Sequence, residues 1–312
     1  MVKLNSPSSI VYPRPVFIAG PTAVGKSEIV LALAEKIDGE IISVDSMQVY
    51  RGLDIGTAKP NASEQKRVRH HLINVAELNE PFDAAQFVSL AQKAVAEIQA
   101  RNHTPIFCGG TGLYFKAFLE GLGEAPSSDT ALRAELEATP LLDLLRELEQ
   151  HDPITFAKID KKNPRRVIRA VEVIRLTGRP FSEQRSEWTT EAAHKEVVIG
   201  LMRESKDLHA RINLRVDEMF RRGLVEETRT LLKHGLEQNK TALQAIGYRQ
   251  VVEHLRGERP LPETIELVKI KTRQFAKRQM TWFRRQLKME WIQFSPLDHS
   301  SAVVTAILTS LK

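Results

Sequence analysis

Eight residues near the N-terminus, Gly20, Pro21, Thr22, Ala23, Val24, Gly25, Lys26 and Ser27, follow the spacing G-x-x-x-x-G-K-[ST] and so describe a site for a polyphosphate. The glycines let the backbone wrap so that successive N–H groups face an anion, Lys26 adds a charge, and Ser27 offers a hydroxyl to magnesium. The spacing specifies neither the phosphate compound nor the bond that breaks. A second group is Asp45, in Asp45-Ser46-Met47-Gln48 after an apolar run. It reads as a Walker-B-like carboxylate holding magnesium through water, as a base acting on an incoming nucleophile, or as a plain cap of the turn after a strand. A third is Thr111 in Cys108-Gly109-Gly110-Thr111-Gly112, whose glycines permit close backbone approach. By itself that loop reads equally well as a strand-to-helix turn.

These groups need a frame. Apolar runs at 16–19, 41–44, 105–108 and 197–201 read as strands, with helical stretches at 27–37 and 84–101 between the first three. Asp83 is positioned to cap the second helix, with Phe82 before it as a staple residue. Alternating β and α elements predict a parallel sheet covered on both faces, and such sheets deliver strand C-termini to the ligand crevice. The fold class is therefore α/β, a P-loop NTPase-like parallel sheet flanked by helices. After Gly121-Leu122-Gly123 the pattern is helical until about His194, which predicts an insertion. The expected division is a P-loop-type core of residues 1–123 and 198–312 and a helical insertion domain of 124–197. From Ser205 onward the chain is again mainly helical, with breaks near Gly235, at Gly247 and at Pro260-Leu261-Pro262. Residues 1–15 read as a loose arm lacking the apolar segment of a secretory signal.

The chain has 312 residues, 42% apolar and 27% charged, enough for a substantial core. Its single cysteine, Cys108, excludes intrachain disulfides and cysteine-based zinc sites and is consistent with a reducing cytoplasm. No run approaches the roughly 20 apolar residues of a membrane span. A net charge of +6 is modest, but its distribution is uneven. Residues 161–185 hold eight Lys/Arg against two Glu, and 269–288 hold eight Lys/Arg and no acid. Both suit a phosphate-backbone track, the plain alternative being a solvated basic face. In the second run Phe275, Trp282 and Phe283 interleave with Arg273, Lys277, Arg278, Arg284 and Arg285, so one helix can pack on the core and present cations outward.

Taken together, residues 20–27, 42–60, Gly109 to Tyr114, Ile246-Gly247-Tyr248-Arg249-Gln250, Thr272-Arg273-Gln274 and Lys277-Arg278-Gln279 resemble the tRNA dimethylallyltransferases, also called tRNA isopentenyltransferases, in their bacterial form. The stretch 45–60 is far more specific than the phosphate loop. Arg165 stands where many family members have Gln, and the chain has no cysteines for the zinc-finger extension that eukaryotic relatives often append.

The resemblance implies transfer of a dimethylallyl group from dimethylallyl diphosphate to N6 of the adenosine 3′-adjacent to the anticodon, tRNA position 37, with release of diphosphate. It implies that residues 20–27 and Arg215 clamp diphosphate, with Mg2+ at Ser27, that Asp45 is the base, and that Thr111 orients the nucleotide. Asp45, Ser46, Met47, Gln48 and Thr111 fall on the RNA side. So do Arg133, Arg165, Arg166, Val167, Ile168 and Arg169 of the insertion, which would clamp the anticodon stem-loop, and Gln244, Ala245, Ile246, Gly247, Tyr248, Arg249, Lys277 and Arg278. A cytoplasmic monomer without membrane contact is expected. The phosphate loop alone would also suit a kinase releasing ADP or an RNA-stimulated ATPase; the stretch 45–60 speaks against both.

Overall fold

The computed structural model describes residues 13–184 and 196–311; most of the expected N-terminal arm and the last part of the insertion, 185–195, lie outside the described residues. The chain forms two compact units, Met1–Leu119 with Ala193–Lys312, and Glu120–Ala192. Among the described residues the first unit holds a six-stranded sheet of β1 (Val16–Ala19), β2 (Gly39–Val44), β3 (His70–His71), β4 (Thr104–Gly109), β5 (Val198–Met202) and β6 (Glu290–Gln293). The strand order is β3-β2-β4-β1-β5-β6 and the pairings are parallel. A parallel sheet is covered on both faces, so its inner strands are buried along their length rather than on one face only. All four residues of β1 and all six of β2 are buried.

Successive side chains of a strand point to opposite faces, and the core divides accordingly. Phe17, Ile42, Val44 and Phe107 pack in one layer; Val16, Ile18, Ile41 and Ile106 pack in the other. The second layer is covered by α1 (Lys26–Ile37), with α2 (Ala62–Arg67) following β2 on the surface. The first is covered by α3 (Ala84–Ala100) and α4 (Gly112–Glu120). Asp83 caps α3 as its sequence predicts, in a reciprocal box with Gln86. Because Ala19 and Val44 both pair with Gly109, the segments leaving β1, β2 and β4 emerge together at one edge. β3 and β6 add to the strands expected from apolar runs, and neither carries such a signal: one is two histidines long, and the other is a partly exposed Glu-Trp-Ile-Gln run.

The second unit consists of α5 (Thr130–Ala138), α6 (Leu141–His151), α7 (Pro153–Lys158), α8 (Pro164–Thr177) and α9 (Phe181–Gln184) around its own core of Leu136, Leu144, Leu148, Val167 and Val171. The first unit closes with α10 (Ser205–Arg221), α11 (Leu224–Lys233), α12 (Tyr248–Leu255), α13 (Leu261–Gln286) and α14 (Ser300–Ser310). The break at Pro260-Leu261-Pro262 is the start of α13, where proline in the first turn sacrifices no helical hydrogen bond. Phe283 is buried in the core and the would-be Cβ of Gly112 abuts Trp282, so α13 packs by these two aromatics, whereas Phe275, expected to join them, is exposed. Among the described residues no helix is long and apolar enough to cross a membrane.

Candidate active site

The phosphate loop joins β1 to α1. Ala23 and Gly25 take left-handed backbone conformations, at φ 62° and 111°, which curl the loop over the helix start. No side chain caps α1, so its first-turn N–H groups are left for an external anion. The loop is held from behind by α10 and the residues before it. Arg203 Nε donates to Val24 O at 2.8 Å and Arg211 Nε to Ala23 O at 3.0 Å. Arg203 is itself fixed by Asp207 and lies over the Phe294 ring. Arg203 stands in no motif spacing that marks it, and Arg211 begins the family-like stretch 211–215, in which only Arg215 is expected to act. Contrary to the simple picture of a loop whose amides all face the anion, some are used internally. Thr22 N–H donates to Gln279 Oε1 at 2.9 Å, and Val24 N–H donates to Pro21 O.

Lys26 Nζ donates to Gly20 O at 2.9 Å and Pro21 O at 2.8 Å, which holds the ammonium at the inner side of the loop. Burial, reinforced by Arg215, pulls its pKa down to about 8, against the opposing pull of Cys108 and Asp45. Burial pushes the Cys108 thiol up to about 11. Arg215 donates to Thr57 O at 3.4 Å. Burial lowers its pKa and Asp45 offsets this; a guanidinium keeps its charge regardless.

Asp45 Oδ1 accepts from Met47 N–H at 2.8 Å and Gln48 N–H at 3.2 Å, so the turn-capping role is real. The cap uses one carboxylate oxygen, while the residue also lines the cavity shared with Lys26, Ser27 and Arg215. Gly110 and Thr111 N–H groups donate to Val44 O, and Thr111 Oγ1 accepts from Ser46 N–H at 3.1 Å. The ends of β2 and β4 are thereby fastened side by side. A Cβ on Gly109 would sit 2.0 Å from Val44 O, so only glycine fits this junction.

The segment after Asp45 is secured at several points. Gln48 Nε2 donates to Thr57 O at 3.2 Å, and its Oε1 accepts from Ser43 Oγ at 2.8 Å. Buried Lys59 donates to Tyr50 O, Asp54 Oδ1 and Asn74 Oδ1. Glu227 of α11 accepts from Ile55 N–H at 2.9 Å and from the Tyr248 hydroxyl at 2.6 Å. Burial and the Glu227 carboxylate raise the Tyr248 pKa, keeping the phenol protonated.

That arrangement leaves the Tyr248 side chain fully buried behind the loop. Tyr248→Phe is expected to cost about 1–2 kcal/mol and Glu227→Ala about 2–4 kcal/mol in urea unfolding, because the second strands more buried donors. RNA affinity should stay within about twofold for Tyr248→Phe. A large loss of RNA affinity at unchanged stability would instead show a direct contact.

A cavity of about 350 Å³ gathers much of the expected set, namely Thr22, Lys26, Ser27, Asp45, Ser46, Met47, Gln48, Thr111, Arg215, Gln244, Ala245, Ile246 and Arg278. Val30, Ile41, Val216 and Val268 give it an apolar wall. Gly20, Pro21, Ala23, Val24 and Gly25 shape the loop without lining this cavity; Ala23 and Gly25 border an adjoining depression with Lys26, Ser27, Arg211 and Arg215. Lys277 lies beside Arg278, Trp282 and Arg285 in a shallow groove on α13. Gly247, at φ 101°, is the turn before α12, and Arg249 pairs with Glu253.

In the second unit, Val167 and Ile168 are core side chains. Fully buried Glu172 accepts from Arg133 Nη2 at 2.8 Å and Arg169 Nη1 at 2.7 Å, and from Ser128 Oγ. Those two arginines are thus partly neutralised; Arg165 and Arg166 are exposed on α8. Among the described residues no cluster of three His, Cys, Asp or Glu assembles. Magnesium requires none, since it retains waters and takes one or two protein oxygens beside phosphate. The Ser27 hydroxyl and Asp45 carboxylate in one cavity fit that donor set.

Known proteins share both the sequence and the fold. The IPP transferase family matches residues 48–286. The tRNA dimethylallyltransferase 1 of Citrifermentans bemidjiense is 45% identical over 280 residues, 89% of this chain and 92% of that protein. The tRNA dimethylallyltransferase of Geobacillus kaustophilus is 44% identical over 295 residues, 93% of each. Among solved structures, the tRNA isopentenylpyrophosphate transferase of Bacillus halodurans superposes with a TM-score of 0.69 at 40% identity, covering 96% of both chains. A eukaryotic dimethylallyltransferase acting on tRNA superposes with a TM-score of 0.77 at 28% identity, covering 96% of this chain and 78% of the other.

Proposed function

Because this chain belongs to the IPP transferase family, we propose that it transfers a dimethylallyl group from dimethylallyl diphosphate to N6 of the tRNA adenosine 3′-adjacent to the anticodon, position 37, releasing diphosphate. The observation that carries this reading is the convergence of a polyphosphate loop, Arg215, Asp45 and Thr111 on one cavity with an apolar wall. A five-carbon chain needs the apolar wall, and its leaving group needs the cations.

The uncapped amides of α1, Lys26 and Arg215 bind diphosphate as a leaving group rather than as part of ATP. When the allylic C–O bond breaks, negative charge grows on the bridging oxygen, and fixed donors stabilise it more than they stabilise the substrate. The adenine N6 lone pair forms the new C–N bond. Asp45 accepts the N6 proton, with its carboxylate oriented by the Met47 and Gln48 amides. Thr111, fastened to Ser46, orients the base from the facing strand end. Magnesium held by Ser27 would supply further charge stabilisation to the diphosphate.

A stacked adenosine cannot reach this cavity, so the base is extruded at a cost of about a few kcal/mol, offset by contacts to the loop and backbone. Ser46 to Gln48 and Gln244 to Ile246 line the space for it, and the basic face of α13 tracks the backbone. The insertion grips the anticodon stem-loop through the exposed cations of α8. The proposed enzyme acts as a monomer in the cytoplasm, where its tRNA substrate resides.

Combining the protein with magnesium, dimethylallyl diphosphate and unmodified tRNA is expected to yield a prenylated adenosine by mass spectrometry. ATP consumption with no prenylated product would overturn the proposal in favour of a kinase or ATPase. Replacing Lys277 and Arg278 should weaken RNA binding and flatten its salt dependence, each lost phosphate contact lowering the slope by about 0.7 for single strands. An unchanged slope would make that face merely solvated.

A further inference from the structure

Gln279 is buried on α13, in a stretch of basic residues, at the wall of the same cavity. Its carboxamide is used at both ends. Oε1 accepts the Thr22 N–H of the phosphate loop at 2.9 Å, and Nε2 donates to Gly110 O at 2.9 Å. The Gly110 peptide is tied on its other side through its own N–H to Val44 O. A Cβ at Gly110 would lie 2.3 Å from Gln279 Nε2, so the glycine leaves room for this carboxamide.

We propose that Gln279 is a positioning residue that sets the diphosphate loop in register with the strand ends carrying Thr111 and Asp45. The connection is continuous. It runs from Thr22 through Gln279 to Gly110, then by the adjacent Thr111 hydroxyl to the Ser46 amide, next to Asp45. The reaction requires the allylic carbon, whose position follows the diphosphate, to meet an amine whose position follows Asp45 and Thr111. Small misplacements between reacting groups cost large factors in rate. A carboxamide suits the task because one planar group accepts from one loop and donates to the other. Neither bond uses charge, so the link adds none beside the leaving group.

The role of Gln279 rests on the prenyl-transfer reading, and the two can fail separately. Wild-type protein that yields no prenylated tRNA removes the functional reading; variants compared with active wild type test the Gln279 link alone. Gln279→Leu, which fills similar space without either hydrogen bond, is expected to lower kcat/KM for dimethylallyl diphosphate by about tenfold to a hundredfold, with tRNA affinity within about twofold. Gly110→Ala, which displaces the carboxamide without removing it, should reproduce that pattern.

Gln279→Glu provides the readout that a packing role would not move. As a carboxylate it accepts from Thr22 but repels the Gly110 carbonyl; protonated, it accepts and donates like the amide. Activity of Gln279→Glu relative to wild type should therefore rise as pH falls, while the Gln279→Leu ratio stays flat. A flat ratio for Gln279→Glu, wild-type turnover in Gln279→Leu, or RNA binding lost together with thermal stability would each overturn the proposal.

Discussion

Replacing Asp45 with asparagine is expected to lower kcat by about 10²–10⁴-fold, the range a positioned general base supplies, with tRNA affinity held within a few fold. Asparagine is the informative change because Asp45 does two things. Its Oδ1 caps the turn through Met47 and Gln48 N–H, and an amide oxygen can continue to accept both. Asp45→Ala should show the same catalytic loss plus about 1 kcal/mol of stability from the missing cap. Kinetics and unfolding thus divide the base from the cap. Single-turnover prenylation, with RNA binding followed separately by filter retention, makes the measurement. If RNA binding collapsed in parallel with turnover in Asp45→Asn, the carboxylate would be a binding contact and the base assignment would be lost. If Asp45→Asn turned over normally while Asp45→Ala was destabilised, capping would be its whole role.

The same contrast marks what a sequence can express. Local features are legible: the glycine spacing of the phosphate loop, the apolar runs of β1, β2 and β4, and the Asp83 cap each follow from short-range chemistry. Asp45 and Thr111 belong to one crevice because parallel strands deliver their C-terminal ends to one edge, and the register of Val44 with Gly109 places both segments there. Contacts made at long sequence separation are not legible. Nothing in residues 20–27 indicates that Arg203 and Arg211 grip the loop carbonyls, or that Gln279 takes the Thr22 amide, because those partners arrive from α10, α13 and the segment between β5 and α10. The burial of Tyr248, Val167 and Ile168 is not legible either. Matching a family stretch does not say which of its side chains point inward, and these three are buried by their helices. Arg133 and Arg169 look like free cations in the sequence; the buried Glu172 that binds them lies on the inward face of the same helix that carries Arg169.

Lys26→Met is expected to reduce kcat/KM for the prenyl donor by about 10²–10³-fold, the magnitude seen when one preorganised donor to a developing anion is removed. Two losses combine. The leaving group loses a half-buried positive charge, and Gly20 O and Pro21 O lose the ammonium that fixes the loop's inner curve. Lys26→Arg keeps the charge but replaces a compact ammonium with a planar fork too large for the two carbonyls, so it should recover little. The pH dependence supplies an independent check. Burial sets the Lys26 pKa in the free protein at about 8, so the group is charged below that pH and neutral above it. An anion prefers the charged form. Diphosphate affinity should therefore weaken as pH rises through about 8, by up to roughly tenfold per unit once the free lysine is mostly neutral. Diphosphate itself titrates in this region, but that contribution is shared by wild type and Lys26→Met and cancels in the ratio of their dissociation constants. The ratio should be large and constant at about pH 6–7, then shrink at higher pH as wild type loses the charge the variant never had. A ratio independent of pH from about 6 to 10 would mean that Lys26 keeps its proton throughout, and its burial would then be outweighed by Asp45 and the bound anion.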